Sequence, residues 1–201
     1  MARVPPLARE QVADLEDTFV QIEQRMGFVP NSMLTMARRP GIARAFGGLA
    51  AAVRTGTVAP DLKEMVALVA STAAGCRYCQ AHTASNSHAS GSDAEKIAHV
   101  WTYDTSALFS DAERAALRLA HHAALVPNAV TDADFADLRR HFDDDEVVEI
   151  VAIVALYGFL NRWNDTMATE LEAHPHALAD DLLRGTGWEP GKHAPTTNWP
   201  W

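Results

Sequence analysis

Two stretches of the sequence can be laid over each other without a gap. EMVALVASTAAGCRYC (64–79) and EIVAIVALYGFLNRWN (149–164) share Glu, Val, Ala, Val, Ala and Arg at matched positions, and pair Met with Ile, Leu with Ile and Tyr with Trp. The offset is 85 residues, 149 minus 64. Each stretch reads as a buried helix, and two at a fixed offset read as a degenerate internal repeat. Convergence is the alternative, since buried helices draw on a small alphabet, but the matching Glu and Arg favour the repeat. On this alignment Asn161 and Asn164 occupy the positions of Cys76 and Cys79. One half keeps a reactive pair that the other has lost.

Helix signals run through the rest of the chain and strand signals are almost absent. DLEDTFVQIEQRM carries Leu15, Phe19 and Ile22 at helical spacing. GFVPNSM breaks it, a short helix is expected over 32–38, and GIARAFGGLAAAVR reads as another. Pro60 can open the next helix at its first turn, and Gly75 interrupts it just before the cysteines. Ser92 with Glu95, Ser110 with Glu113 and Thr131 with Asp134 resemble capping boxes. A long helix is expected from about Glu146 to Glu172, with Trp163, Met167 and Leu171 as core positions at i, i+4 spacing. Met33 and Met36 are expected in the core or at an entrance, and His121 and His122 at a surface or interface. The tail GWEPGKHAPTTNWPW has three prolines and three tryptophans, which excludes a regular helix. Its tryptophans are expected to pack on their own domain or on a neighbouring subunit. The organisation is thus one all-α domain over 1–185, with a core motif at 60–100 and a second repeat at about 111–172. A Pro/Trp-rich tail follows over 186–201.

Composition narrows the function. The 201 residues suffice for one sizeable core. The net charge of −9, with no basic cluster against it, argues against nucleic acid and anionic lipid as partners. MARVPPLAREQ lacks the apolar core of a secretory signal, and the longest apolar run, from Val147 to Leu160, is broken by Glu149. A cytoplasmic protein with no membrane contact is expected, and there a dithiol is normally kept reduced. Two cysteines cannot build a disulfide framework, and closing so short a loop adds little stability.

The chemistry therefore gathers at GCRYCQAH (75–82), which holds both cysteines. A zinc site would have to combine Cys76 and Cys79 with His82, His88 or His99, and no second CxxC exists. A c-type haem needs histidine directly after the second cysteine, where Gln80 stands. A dithiol fits better. If a helix restarts near Gly75 or Cys76, its free amides and dipole stabilise a thiolate. At about 100° per residue, Cys76, Cys79 and His82 share one stripe of that helix. His82 can carry a thiol proton near neutral pH, and two cysteines one turn apart can close a disulfide. No βαβ pattern surrounds the motif, so the scaffold is not thioredoxin. Glu64, on an otherwise apolar helix, reads alone as an exposed residue. Beside the pair and His82 it completes a more specific constellation. In NRWNDTMATELE, Asn161, Asn164 and Asp165 either line the pocket or cross an interface, with a satisfied hydrogen-bond network expected.

Glu64, eleven intervening residues, Cys76-Arg77-Tyr78-Cys79 and His82 together resemble the AhpD-like alkylhydroperoxidase branch of the carboxymuconolactone decarboxylase family. GFVPNSM and SDAEKIAHVW are similar to its peroxidase-related members. The resemblance spans most of 26–170, most tightly 60–100. It implies an all-α AhpD-like bundle built on a repeated helical hairpin and assembled into homo-oligomers. The activity it implies is that of a thiol-dependent, peroxiredoxin-type peroxidase with no metal and no organic cofactor. Cys79 would attack a hydroperoxide, become a sulfenic acid and release an alcohol or water. Cys76 would close the disulfide, Glu64 and His82 would relay protons, and a lipoyl- or thioredoxin-like thiol partner would restore the dithiol. A depressed Cys79 pKa is expected on this reading, although the residues alone leave open which cysteine attacks. Two positions depart from the family pattern. Its histidine four residues after the second cysteine is Thr83 here, with His82 one place earlier, and its histidine just before that cysteine is Tyr78, expected to pack or to donate a hydrogen bond. A cofactor-free decarboxylase-like or other small-molecule enzyme, and a non-catalytic binding module or redox sensor, are the alternatives on the same fold.

Overall fold

Helices form where apolar residues recur at helical spacing, and several start at a signal that satisfies their free amides. The computed structural model describes residues 2–195, which contain helices and turns and no strand. A 3-10 segment (Arg9–Leu15) leads into α1 (Glu16–Met26), α2 (Asn31–Met36) and α3 (Pro40–Val53). The central hairpin is α4 (Pro60–Ala73) and α5 (Arg77–Ala89), followed by the short α6 (Ala94–Ala98). Then come α7 (Asp111–Ala124), α8 (Asp132–Leu138), α9 (Asp144–Met167) and α10 (Ala173–Leu182). Proline opens α3 and α4, where its missing N–H costs nothing. Ser110–Glu113 and Thr131–Asp134 form the expected capping boxes, and Asp143–Glu146 forms a third at the start of α9.

Two boundaries differ from expectation. Ser92 does not cap α6: Asp93 takes that place, and the Ser92 amide is drawn back onto the Ser87 carbonyl at 3.0 Å. The long helix stops at Met167 rather than near Glu172. Ala168 adopts a left-handed conformation (φ 49°), and its N–H and that of Thr169 both donate to the Asn164 carbonyl. Leu171 is still buried, but beyond the helix end, while Trp163 and Met167 are half-buried on α9. The released chain turns into α10, which packs on α5.

The main core lies where α4 packs against α5, α7 and α9, around Met65, Leu68, Leu117 and Ile150. A second, smaller core under α1, α2 and α3 holds Leu15, Phe19, Met33 and Met36. Burying a side chain such as Phe19 contributes roughly 1.5–3 kcal/mol. His121 is exposed and His122 half-buried on α7. From the tail, Trp188 is buried and its indole N–H donates to the Arg77 carbonyl at 3.4 Å, whereas Trp199 and Trp201 lie outside the described residues. Among the described residues no helix is long and apolar enough to cross a membrane.

Candidate active site

Gly75 adopts φ +72°, a conformation side chains resist, and so ends the α4 segment and lets a new helix begin at once. Cys76 is the residue that caps α5, and Cys79 sits in its first turn. Both thiols are free and buried, at 0% and 2% exposure. The neighbouring Cys79 and the amides of Cys79 and Tyr78 at the helix start favour a Cys76 thiolate, and against the cost of burial they hold its pKa below the ordinary thiol value. Burial, followed by the neighbouring Cys76, pushes the Cys79 thiol well up, and a 3.4 Å hydrogen bond from Asn164 Nδ2 opposes this only in part. The expected depressed Cys79 is thus reversed in the resting state. Of the pair, Cys76 is the thiol whose ionised form is favoured and Cys79 the one kept protonated.

Cys79 opens onto a cavity of about 490 Å³. Tyr78, His82 and Asn164 share its wall with Cys79, while Cys76 lies behind it. Asn161, expected at the pocket, instead faces a groove on another side of α9, with both polar atoms of its buried amide unpartnered. Three residues before Asn164 on an unbroken helix, it is turned away from the cavity.

The carboxylates divide differently from the sequence expectation. His82 Nε2 lies 2.7 Å from Glu172 Oε2, not at Glu64. The Tyr78 hydroxyl donates to Glu172 Oε1 at 2.9 Å, and the Tyr78 and His82 rings stack at 4.4 Å, so Tyr78 both packs and donates. Burial opposes ionisation of Glu172, but the His82 charge and hydrogen bond outweigh it and keep the carboxyl below its usual range. Glu64 accepts from Asn86 Nδ2 at 3.3 Å and from the Tyr157 hydroxyl at 3.5 Å, with Arg54 Nε at 3.8 Å. Burial and then the Glu64 charge keep Tyr157 protonated. Thr83 spends its hydroxyl on the Cys79 and Gln80 carbonyls, which leaves His82 as the histidine of this helix face.

Behind Cys76, its Sγ, an Asp165 oxygen and a His193 ring nitrogen lie within 4.8 Å of one another. His193 is fully buried, and its Nδ1 lies 2.7 Å from the Thr169 carbonyl, so Nδ1 carries the proton. Its Nε2 is then a free acceptor, 3.7 Å from Asp165 and without a hydrogen bond. Burial lowers the His193 pKa and keeps the ring neutral. Among the described residues this is the one group of His, Cys and acidic side chains close enough to share a metal ion. Its Asp165 already pairs with Lys192 at 2.8 Å. His88 and His99, considered for zinc with Cys76, Cys79 and His82, are exposed and do not join the cysteines.

Sequence reading missed Asn86, Tyr157, Glu172 and His193. Asn86 was reachable, since Cys79, His82 and Asn86 share a face at i, i+3, i+7. Pro175, tolerated only in a first turn, signalled a new helix after Glu172. No local signal marks Tyr157 or His193.

A buried CxxC at a helix start, beside a cavity in an all-helical scaffold, is the site of an enzyme on the AhpD-type fold. Residues 40–122 match the model of the carboxymuconolactone decarboxylase family, and the chain belongs to that family. It is 37% identical to the debrominase Bmp8 in its apo form, with a TM-score of 0.84, over 89% of this chain and 97% of that one. The same debrominase, as a cysteine-to-alanine variant in complex with 2,3,4-tribromopyrrole, is 36% identical by this alignment. A peroxidase-related protein with an AhpD core from Ralstonia eutropha JMP134 is 27% identical, with a TM-score of 0.78, over 87% of this chain and 94% of its own. The uncharacterized protein YnjA of Escherichia coli is 33% identical over 92 residues, 46% of this chain and 50% of that protein.

Proposed function

We propose that this enzyme is a dithiol-dependent reductase of a small, largely apolar molecule, and that the molecule is an organic hydroperoxide. One observation carries the reading: Cys79 lines the 490 Å³ cavity, while Cys76, one turn away and fully buried, does not. Cys79 is therefore the sulfur a bound substrate meets, and Cys76 the one that resolves. A proton moves from Cys79 to Cys76, and the Cys79 thiolate attacks the terminal oxygen of R–O–OH. The S–O bond forms, the O–O bond breaks, and the alkoxide leaves. Tyr157, which lines the cavity, supplies its proton, because an alkoxide is a stronger base than a phenolate. Cys76 then gives its proton towards His193 Nε2 and attacks Cys79 Sγ. The disulfide forms, and hydroxide departs with that proton as water. An external dithiol, lipoyl- or thioredoxin-like, reduces the disulfide and is itself oxidised, and its two thiol protons restore the Tyr157 hydroxyl and the Cys79 thiol. These steps call on no metal and no organic cofactor.

A second reading has its own support in the 37% identity to Bmp8 across 97% of that chain. On it, the Cys79 thiolate takes a halogen from an aromatic carbon, and that carbon keeps the bonding electron pair and takes a proton. Cys76 then displaces halide from Cys79 as the disulfide closes.

The test is peroxide consumption with excess dithiol on metal-free protein, in parallel with bromide release from a bromopyrrole. Wild type is expected to turn over cumene hydroperoxide, Cys79→Ser to lose turnover, and Cys76→Ser to stall after one equivalent. Faster bromide release would install the dehalogenase reading. A wild type that forms one disulfide and stops is a sensor, and one that does neither carries incidental cysteines.

A further inference from the structure

The chain carries 26 acidic residues against 17 Lys and Arg, yet the wall of the cavity beside Cys79 contains Arg25, Arg44 and Arg54 and no Asp or Glu. Elsewhere cations find carboxylates readily: Arg9 holds Glu16 and Glu23, Arg118 holds Asp104 and Asp137, and Lys192 holds Asp165. Around the cavity a single such pairing exists among the described residues, and it is long. Arg25, in the last turn of α1, makes no hydrogen bond and no ion pair among the described residues. Arg44 donates only to the Asp14 carbonyl, at 3.3 Å. Arg54, half-buried at the end of α3, has Glu64 at 3.8 Å, but its Nε is buried without a hydrogen-bond partner. Glu64 is also occupied by Asn86 and Tyr157.

Arg25 and Arg54 are near enough that, after burial, the charge of Arg54 is the main influence lowering the Arg25 pKa. Two like charges thus line one cavity, and a single carboxylate, Glu64, pairs with Arg54 alone, which leaves the wall net positive in a chain of net charge −9. A cleft lined by one sign of charge concentrates ligands of the other, and a guanidinium fork matches a carboxylate in two parallel hydrogen bonds. The same wall carries Ile22, Met33, Phe46, Leu156 and Leu160, which give it a broad apolar part.

We propose that Arg25 and Arg54 bind the carboxylate of an amphipathic substrate whose apolar body fills the inner cavity and brings its reducible atom to Cys79. The substrate class is an organic acid: a hydroperoxy acid on the first reading above, a haloaromatic acid on the second. The inference rests on that cavity being the substrate site.

Its test measures binding rather than turnover. The reduced full-length protein is titrated by calorimetry with 1-naphthoate and with 1-naphthamide, two unreactive probes of the same shape and different charge. Naphthoate is expected to bind about ten-fold tighter or more, the effect of one or two charge-assisted hydrogen bonds, and to lose that advantage in high salt. The double variant Arg25→Met, Arg54→Met is expected to bind the two probes alike, with naphthamide binding showing that its cavity is intact. Equal binding by wild type, a preference that survives in the double variant, or binding of neither probe would overturn the inference. Consumption of neutral cumene hydroperoxide in the same samples separates the cases. Turnover without a naphthoate preference sinks the carboxylate site alone, and a preference without turnover sinks the peroxidase reading alone.

Discussion

The two stretches that align in sequence take opposite courses in the structure. The first breaks: Gly75 turns left-handed and Cys76 caps a fresh helix. The second runs unbroken, with Leu160 where Gly75 would be and Asn161 and Asn164 inside α9. A helix interior has already spent its amides on itself, so only the broken copy has N–H groups left for a thiolate. The matched residues Cys79 and Asn164 meet at 3.4 Å, so the unbroken copy donates a hydrogen bond to the reactive one. Their leading glutamates also part. Glu64 stands beside the cavity, while Glu149 is consumed by Lys63 at 2.9 Å and by the amides of Thr57 and Val58. One glutamate joins Asn86, Tyr157 and Arg54 at the cavity, and the other holds the α3–α4 loop onto α9.

The contrast is broken most severely at Glu149. Glu149→Ala leaves Lys63, 4% exposed, without its carboxylate, and is expected to cost ~3–5 kcal/mol in urea unfolding. Glu64→Ala is expected to cost far less stability while slowing turnover. Equal stability losses would remove the distinction between them. Gly75→Ala comes next. A Cβ there meets nothing within 4 Å, so the penalty is the left-handed backbone alone, ~1–2 kcal/mol by the same measurement. A neutral result would mean that the break does not depend on glycine. Asn164→Ala removes the donor to Cys79 and is expected to slow the first, oxidant-dependent step about ten-fold, the equivalent of ~1–1.5 kcal/mol, in stopped-flow. An unchanged rate would show that the two copies touch without consequence.

The smallest effect is in the pH dependence of stability. His193 and Glu172 both have lowered folded-state pKa values, so the unfolded chain binds more protons than the native one as pH falls. Stability is expected to decline first below about 6.5, the ordinary histidine value, and again below about 4.5, the ordinary glutamate value. His193→Gln should flatten the upper limb only, and a profile identical to wild type would show that His193 is not buried neutral.

What was legible in the sequence was local. Helix periodicity, the capping boxes at Ser110 and Thr131, buried Met33 and Met36, and a helix restarting at the cysteines all depend on residues within a few turns of one another. The partner of His82 depends on a chain reversal instead. Glu172 reaches it because α9 ends on a left-handed Ala168, a residue that gives no warning as glycine does. His193 arrives behind Cys76 from a segment outside the family resemblance, and Arg25 comes to the cavity from another. Such meetings are set by packing, and no spacing rule encodes them.

The turn Gly191–His193 sits against Cys76, and Cys79 is reached through the cavity. Under the proposed chemistry, oxidant and reductant queue at one door. A dithiol waiting inside bars the next substrate, and a lingering product bars the dithiol. The expected rhythm is strict alternation, with double-reciprocal lines that run parallel and a rate that climbs and then sags as reductant is raised.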